Sequence, residues 1–251
     1  MTEGAIYPSL SGRHVLITGG ASGIGEAFVA AFASQKAKVT FLDIALDAGR
    51  NLQSRLSADT AFIECDLTDI DALESSVAKA RMLNGNIDVL INNAANDDRH
   101  NIEEVSPEYW DNRIAVNLRH QFFAARAVAA DMRESGRGSI INLGSISWHV
   151  GLGGMSVYVT SKAAITGMTR ALARELGGDR IRVNCIVPGA VRTERQVEHW
   201  LTPDAEKEIM DGQCLKKSIF PQHVASMGLF LASDDSLMCT GREYFVDAGW
   251  L

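Results

Sequence analysis

No apolar run in this 251-residue chain approaches the ~20 residues that a bilayer crossing requires, which excludes a transmembrane helix. Close cysteine pairs are missing as well. Cys65, Cys185, Cys214 and Cys239 lie far apart, beside apolar neighbours and without Cys-x-x-Cys spacing. That pattern argues against metal ligation and predicts four buried free thiols in a reducing compartment. Residues 1–10 lack a positive segment followed by an apolar core, so no secretory leader is expected, and the expected location is cytoplasmic. Nor is there a basic block. The 24 basic and 31 acidic residues leave a net charge of −7, which disfavours nucleic acid and anionic membranes as partners. No histidine has a partner at metal-ligand spacing, so no metal is expected. Internal repeats and low-complexity linkers are absent too, and one domain over residues 1–251 is the expectation.

What the chain does have is a regular alternation of short apolar runs and longer helical patterns. This predicts βαβ units, an α/β doubly wound fold with a parallel sheet. The expected strands are 14–18, 39–43, 61–65, 87–91, 139–143, 181–187 and 243–246. Their near-continuous hydrophobicity suits strands covered on both faces. A helix is expected from Gly25 to about Gln35, with Phe28, Val29 and Phe32 at helical spacing. Two long ones are expected at about 109–134 and 156–177. The polar stretch of about 190–220, with Trp200 and Pro203, breaks the rhythm and predicts a small helical lid.

Between the first strand and the first helix lies Thr18-Gly19-Gly20-Ala21-Ser22-Gly23-Ile24-Gly25. A glycine-rich turn at a helix N-terminus offers free N–H groups and a positive dipole end to a pyrophosphate. The acid expected about 20 residues later is Asp43, at the end of the second strand. A carboxylate there accepts from both ribose hydroxyls and repels a 2′-phosphate. No Arg or Lys lies in the turn or directly after Asp43, so NAD is the expected cofactor rather than NADP. Asp66 and Asn92-Asn93-Ala94 follow the next two strands, at the edge where open α/β sheets bind ligands. Taken singly, each of these is more often turn chemistry than a ligand contact; beside the glycine turn the two readings weigh equally.

Tyr158 and Lys162 are four apart and share one helix face, downstream of Ser145. A free phenol titrates near ~10, so an adjacent ammonium is needed to make it a usable base at neutral pH. The combination predicts an enzyme that moves a hydride and a proton.

Together, Thr18-Gly-x-x-x-Gly-x-Gly25, Asp66, Asn92-Asn-Ala-Ala95, Asn117, Ser145, Tyr158-x-x-x-Lys162 and Pro188-Gly189 resemble the short-chain dehydrogenase/reductases. Ala95 departs from the usual glycine. The resemblance implies a Rossmann fold with a seven-stranded parallel sheet, and a homotetramer built through the two long helices. It implies that Tyr158 is the base in oxidation, that Lys162 lowers its pKa and holds the nicotinamide ribose, and that Ser145 bonds the reacting oxygen. Asn117 would bend its helix and hold a relay water. Asp66 and Leu67 would flank the adenine, Asn93 and Ala94 would line the adenosine, and Val191 and Thr193 would touch the carboxamide. A narrower likeness, in 5–10, 96–100, 144–149, 213–216 and 247–250, is to bacterial NAD-dependent sugar dehydrogenases of that family. It implies oxidation of a cyclic aldose at C1 to its lactone. D-xylose is the first candidate, and L-arabinose, glucose or a modified sugar stays open.

A sugar pocket needs polar groups beside an aromatic floor. Ser147, Trp148 and His149, after Ser145, and Gln196 and Trp200, in the expected lid, are the candidate substrate contacts beside Ser145 and Tyr158. Packing roles for the two tryptophans and His149 weigh about equally. The charged run Asp97-Asp98-Arg99-His100 reads as a solvated or interface loop rather than a sugar contact. Two alternatives remain: a 3-oxoacyl or steroid-type reductase, which Asp43 disfavours, and a nucleotide-sensing subunit, which the intact Ser145, Tyr158 and Lys162 disfavour.

Overall fold

The first strand lies inside the sheet, beside its middle strand β4 Val89–Asn92, because the chain builds outward in both directions from this pair. In a computed structural model that describes residues 4–251, seven parallel strands are ordered β3-β2-β1-β4-β5-β6-β7. They are β1 His14–Thr18, β2 Lys38–Asp43, β3 Thr60–Glu64, β4 Val89–Asn92, β5 Gly138–Leu143, β6 Ile181–Pro188 and β7 Glu243–Val246. The helices between them are α1 Gly23–Ser34, α2 Leu46–Ser54, α3 Ile70–Asn84, α4 Pro107–Ile114, α5 His120–Glu134, α6 Ser156–Leu176, α7 Glu194–His199, α8 Pro203–Gly212 and α9 Pro221–Ala232. None is long and apolar enough to cross a membrane. The expected lack of a leader in residues 1–10 falls partly on residues 1–3, outside those described.

The central strands β1, β4, β5 and β6 are buried along their whole length, as helices on both faces require. One core cluster joins β1 and β2 to α1 and α9 through Phe28, Phe32, Phe41 and Leu229. Each such side chain contributes about 1.5–3 kcal/mol when withdrawn from water. Gly228 lets α9 approach α1: a Cβ there would stand 2.3 Å from the Phe28 ring. The second face is filled by Leu73, Val77, Val128 and Met132 from α3 and α5.

Register matters for the site. Thr18 pairs with Leu42 on one side and Asn92 on the other, so the carboxyl ends of β1, β2 and β4 finish at one level. Strand order reverses between β1 and β4, which opens a crevice at that edge.

Two expectations need correction. The helix expected over 109–134 is broken by one wide π-type turn, Ala115–Arg119, between α4 and α5. Asn117 clamps that turn, accepting from the Asn96 N–H at 2.7 Å and donating to its carbonyl at 3.0 Å. Only Cys65 and Cys185 are buried. Cys239 is half-buried, and Cys214 is exposed beside Gly249, where the chain returns across the surface.

Candidate active site

The glycine turn is built by close approach. A Cβ on Gly25 would lie 1.8 Å from the Gly19 carbonyl oxygen, and one on Gly19 would lie 2.7 Å from the Ala94 backbone. Gly19 and Gly23 also hold φ of +64° and +57°, which side chains resist. Ser22 precedes α1 without capping it, so the first-turn N–H groups of Gly23, Ile24 and Gly25 keep no side-chain partner. Thr193 stands over Gly23, its methyl 3.4 Å from where a Cβ would be. Val191 is buried next to it.

Asp43 is fixed from both sides. Its Oδ2 accepts from the Ala21 N–H at 2.9 Å and its Oδ1 from the Ala45 N–H at 3.0 Å. The glycine turn and the Asp43 carboxylate are thus held by one another. Asn93 locks the same corner, donating to the carbonyls of Thr18 at 3.1 Å and Gly19 at 2.8 Å. Ala94 donates its N–H to the Thr18 hydroxyl. Asp66 is exposed and holds Thr68 through one oxygen, with Leu67 buried beside it. Uncapped amides, a fixed carboxylate and a cradle that a Cβ would fill fit a dinucleotide.

Across the crevice, Ser145 lies two residues beyond β5 and begins a short turn, accepting from the Ser147 N–H at 3.1 Å. Its hydroxyl is near enough to the Tyr158 phenol to lower that group's proton affinity. Lys162 is buried one helical turn beyond Tyr158, and its Nζ donates to the Leu143 carbonyl at 2.7 Å, 5.4 Å from the centre of the Tyr158 ring. Burial lowers the Lys162 ammonium to about 8. Burial and then Asp97 push the Tyr158 phenol above its ordinary value, while Ser145 and Arg99 pull it down. The cation alone therefore does not leave a phenolate in the free protein, a departure from the simple electrostatic expectation.

The candidate substrate residues divide. Ser147 is buried with its hydroxyl unpartnered, and so are the indole N–H groups of Trp148 and Trp200. Gln196, at the start of α7, donates to Asp97 Oδ2 at 2.6 Å. His149 is engaged elsewhere: its Nε2 lies 3.2 Å from Glu243, and its ring stacks on Trp148 with centroids 3.7 Å apart. The loop expected to be solvated or at an interface is half-buried and ion-paired to the segment of α7. The Asp97 side chain is only 19% exposed and pairs with Arg195 of α7. Nothing in the sequence shows that α7 folds back onto this loop, 98 residues away.

Residues 19–251 match a family described as enoyl-(acyl carrier protein) reductase. The chain belongs to the short-chain dehydrogenase/reductase family. It is 53% identical to a D-xylose 1-dehydrogenase of Caulobacter vibrioides, over 98% of both chains. It is 43% identical to a probable galactose dehydrogenase of Rhizobium meliloti, over 97% of this chain and 96% of the other. A 3-alpha-(or 20-beta)-hydroxysteroid dehydrogenase of Mycobacterium tuberculosis is 35% identical, over 96% and 90%. This family member is thus an oxidoreductase that uses a nicotinamide cofactor.

Proposed function

We propose that this protein oxidises a cyclic aldose at C1 to its lactone, with NAD as cofactor and D-xylose as the first candidate substrate. The observation that carries the sugar reading is the 53% identity to a D-xylose 1-dehydrogenase over 98% of the chain, pocket loops and lid included. NAD is favoured over NADP because the fixed Asp43 carboxylate repels a 2′-phosphate, and no cation stands in the turn to offset it.

When bound, the nicotinamide supplies the hydride acceptor. Tyr158 Oη takes the proton from the anomeric hydroxyl, and Ser145 holds the same oxygen. Lys162, anchored on Leu143, carries the compensating positive charge and passes the proton on towards the wide turn at Asn117. The amides of Gly23, Ile24 and Gly25 take the pyrophosphate. Asp66, Leu67, Asn93 and Ala94 line the adenosine side, and Val191 and Thr193 the carboxamide side. Ser147, Trp148, Gln196 and Trp200 present polar groups to the sugar, and the three unpartnered ones supply donors that hydroxyls would satisfy. His149 supports Trp148. Residues 1–251 form one catalytic domain, working in the cytoplasm as a homotetramer.

The test is a panel of neutral aldoses with NAD and NADP, followed by NADH or NADPH absorbance. Lactone formation from D-xylose or a related aldose with NAD is expected. Tyr158→Phe should reduce turnover by about 10²–10⁴-fold while keeping NADH affinity. No turnover of any aldose, with NADPH-driven reduction of a 3-oxoacyl or steroid ketone, overturns the reading.

A further inference from the structure

Asp97 lies in the loop after β4, and both oxygens of its carboxylate are engaged by the segment of α7. Its Oδ2 accepts from Gln196 Nε2 at 2.6 Å and its Oδ1 from Arg195 Nε at 3.2 Å. Arg195 also binds Asp98 at 2.5 Å, and Arg113 of α4 holds Asp98 from the other side at 3.1 Å. Next along the loop, Arg99 lies over the Trp200 ring, 5.1 Å from its centre, and meets the Met155 sulfur at the start of α6. The loop is thus tied to the lid through Asp97 and Asp98, and to the start of the catalytic helix through Arg99.

That carboxylate is close enough to raise the proton affinity of both Tyr158 and Lys162. On Tyr158 the effect works against the base, since a second negative charge opposes phenolate formation. Geometry places the Asp97 carboxylate at the reacting end of the site: the neighbouring Asn96 is clamped on Asn117, and Arg99, two residues on, packs over Trp200, so the carboxylate sits between the wide turn and the segment of α7. A carboxylate offers about four lone-pair sites, and Arg195 and Gln196 engage two of them. Hydroxyl donors form strong, charge-assisted bonds to the remainder, whereas an anionic substrate is repelled.

We propose that Asp97 is a specificity-determining residue, positioned by Gln196 and Arg195, whose carboxylate accepts hydrogen bonds from substrate hydroxyls and selects neutral sugars over anionic ones. This inference rests on the aldose reading above. The lid helix then closes on the substrate through the same residue that recognises it.

The probes are D-xylose and D-glucuronate, the same ring bearing a carboxylate on C5, with NAD. Asp97→Asn keeps the shape and an acceptor for Gln196. It should lower kcat/KM for D-xylose by about 10- to 100-fold, mainly through KM, and raise the glucuronate-to-xylose ratio, with NADH affinity unchanged. Asp97→Glu, which keeps the charge but moves it by one methylene, should weaken D-xylose and still exclude glucuronate. Arg195→Ala should cause a smaller loss with the ratio unaltered. Unchanged KM and ratio in Asp97→Asn overturn the proposal. So does an Arg195→Ala profile matching that of Asp97→Asn, which would make Asp97 an anchor for the lid only. A parent enzyme inactive on every aldose would sink the sugar reading and this inference with it.

Discussion

The reactive pair in the free protein carries its protons the wrong way round for oxidation. Burial lowers Lys162 to about 8 and raises Tyr158, so above pH 8 the pair holds one proton with the phenol favoured to keep it. Phenolate with ammonium is a minority arrangement of that same one-proton state. Below pH 8 both groups are protonated and no base exists. We therefore expect kcat/KM for oxidation to rise with pH through about 8, measured between pH 6 and 10; a flat or falling profile refutes the assignment. At this scale the sequence was informative wherever spacing alone decides proximity. Tyr158 and Lys162 are one helical turn apart, and the glycines of the turn follow consecutively. The pairing of Asp97 was not legible because its partners come from a segment 98 residues away, and periodicity holds no record of that contact. The unpartnered nitrogen of Trp200 was equally invisible.

Among the elements, the break between α4 and α5 has the clearest energetic signature. The wide turn at Ala115–Arg119 delivers His120 into the interior, fully buried and with neither ring nitrogen hydrogen-bonded. Burial, and then the Lys162 charge, lower its pKa from 6.5 to about 3. The unfolded chain therefore binds a proton between those values that the native state refuses. Stability should be complete above pH 6.5 and decline as the pH falls towards 3, more steeply than in His120→Gln. Urea midpoints at pH 7, 5 and 4 would show this, and equal slopes for both proteins would contradict it. Hydrophobic pattern located every strand to within two residues and foresaw helices in the lid. It ran α4 and α5 together, because an inserted residue in a helix shifts the apolar stripe too little to see. The clamp of Asn117 on Asn96 sets the break, and that is a tertiary contact.

At the scale of the whole molecule, cofactor binding is the natural probe. A ligand at about 100 times its Kd stabilises the native state by about 2.7 kcal/mol. For a chain of this length that amounts to a rise in Tm of roughly 5–10 °C. NAD should produce it, and NADP at the same concentration a much smaller one. Equal shifts would show that Asp43 does not discriminate. Light scattering should return about four times the 27.2 kDa of one chain if the tetramer forms. Fold class was legible because seven apolar runs alternate with helical ones, but strand order is a property of the closed sheet. That closure has a consequence for how the protein comes into being. The corner proposed to receive the dinucleotide is stitched by Asn93 to Thr18 and Gly19, 75 and 74 residues earlier. A nascent chain that has released only its first glycine-rich segment has no place to keep the nucleotide. Capture of a dinucleotide at this corner must await the pairing of β4 with β1, so it reports that the sheet has joined there and cannot rescue an intermediate in which it has not.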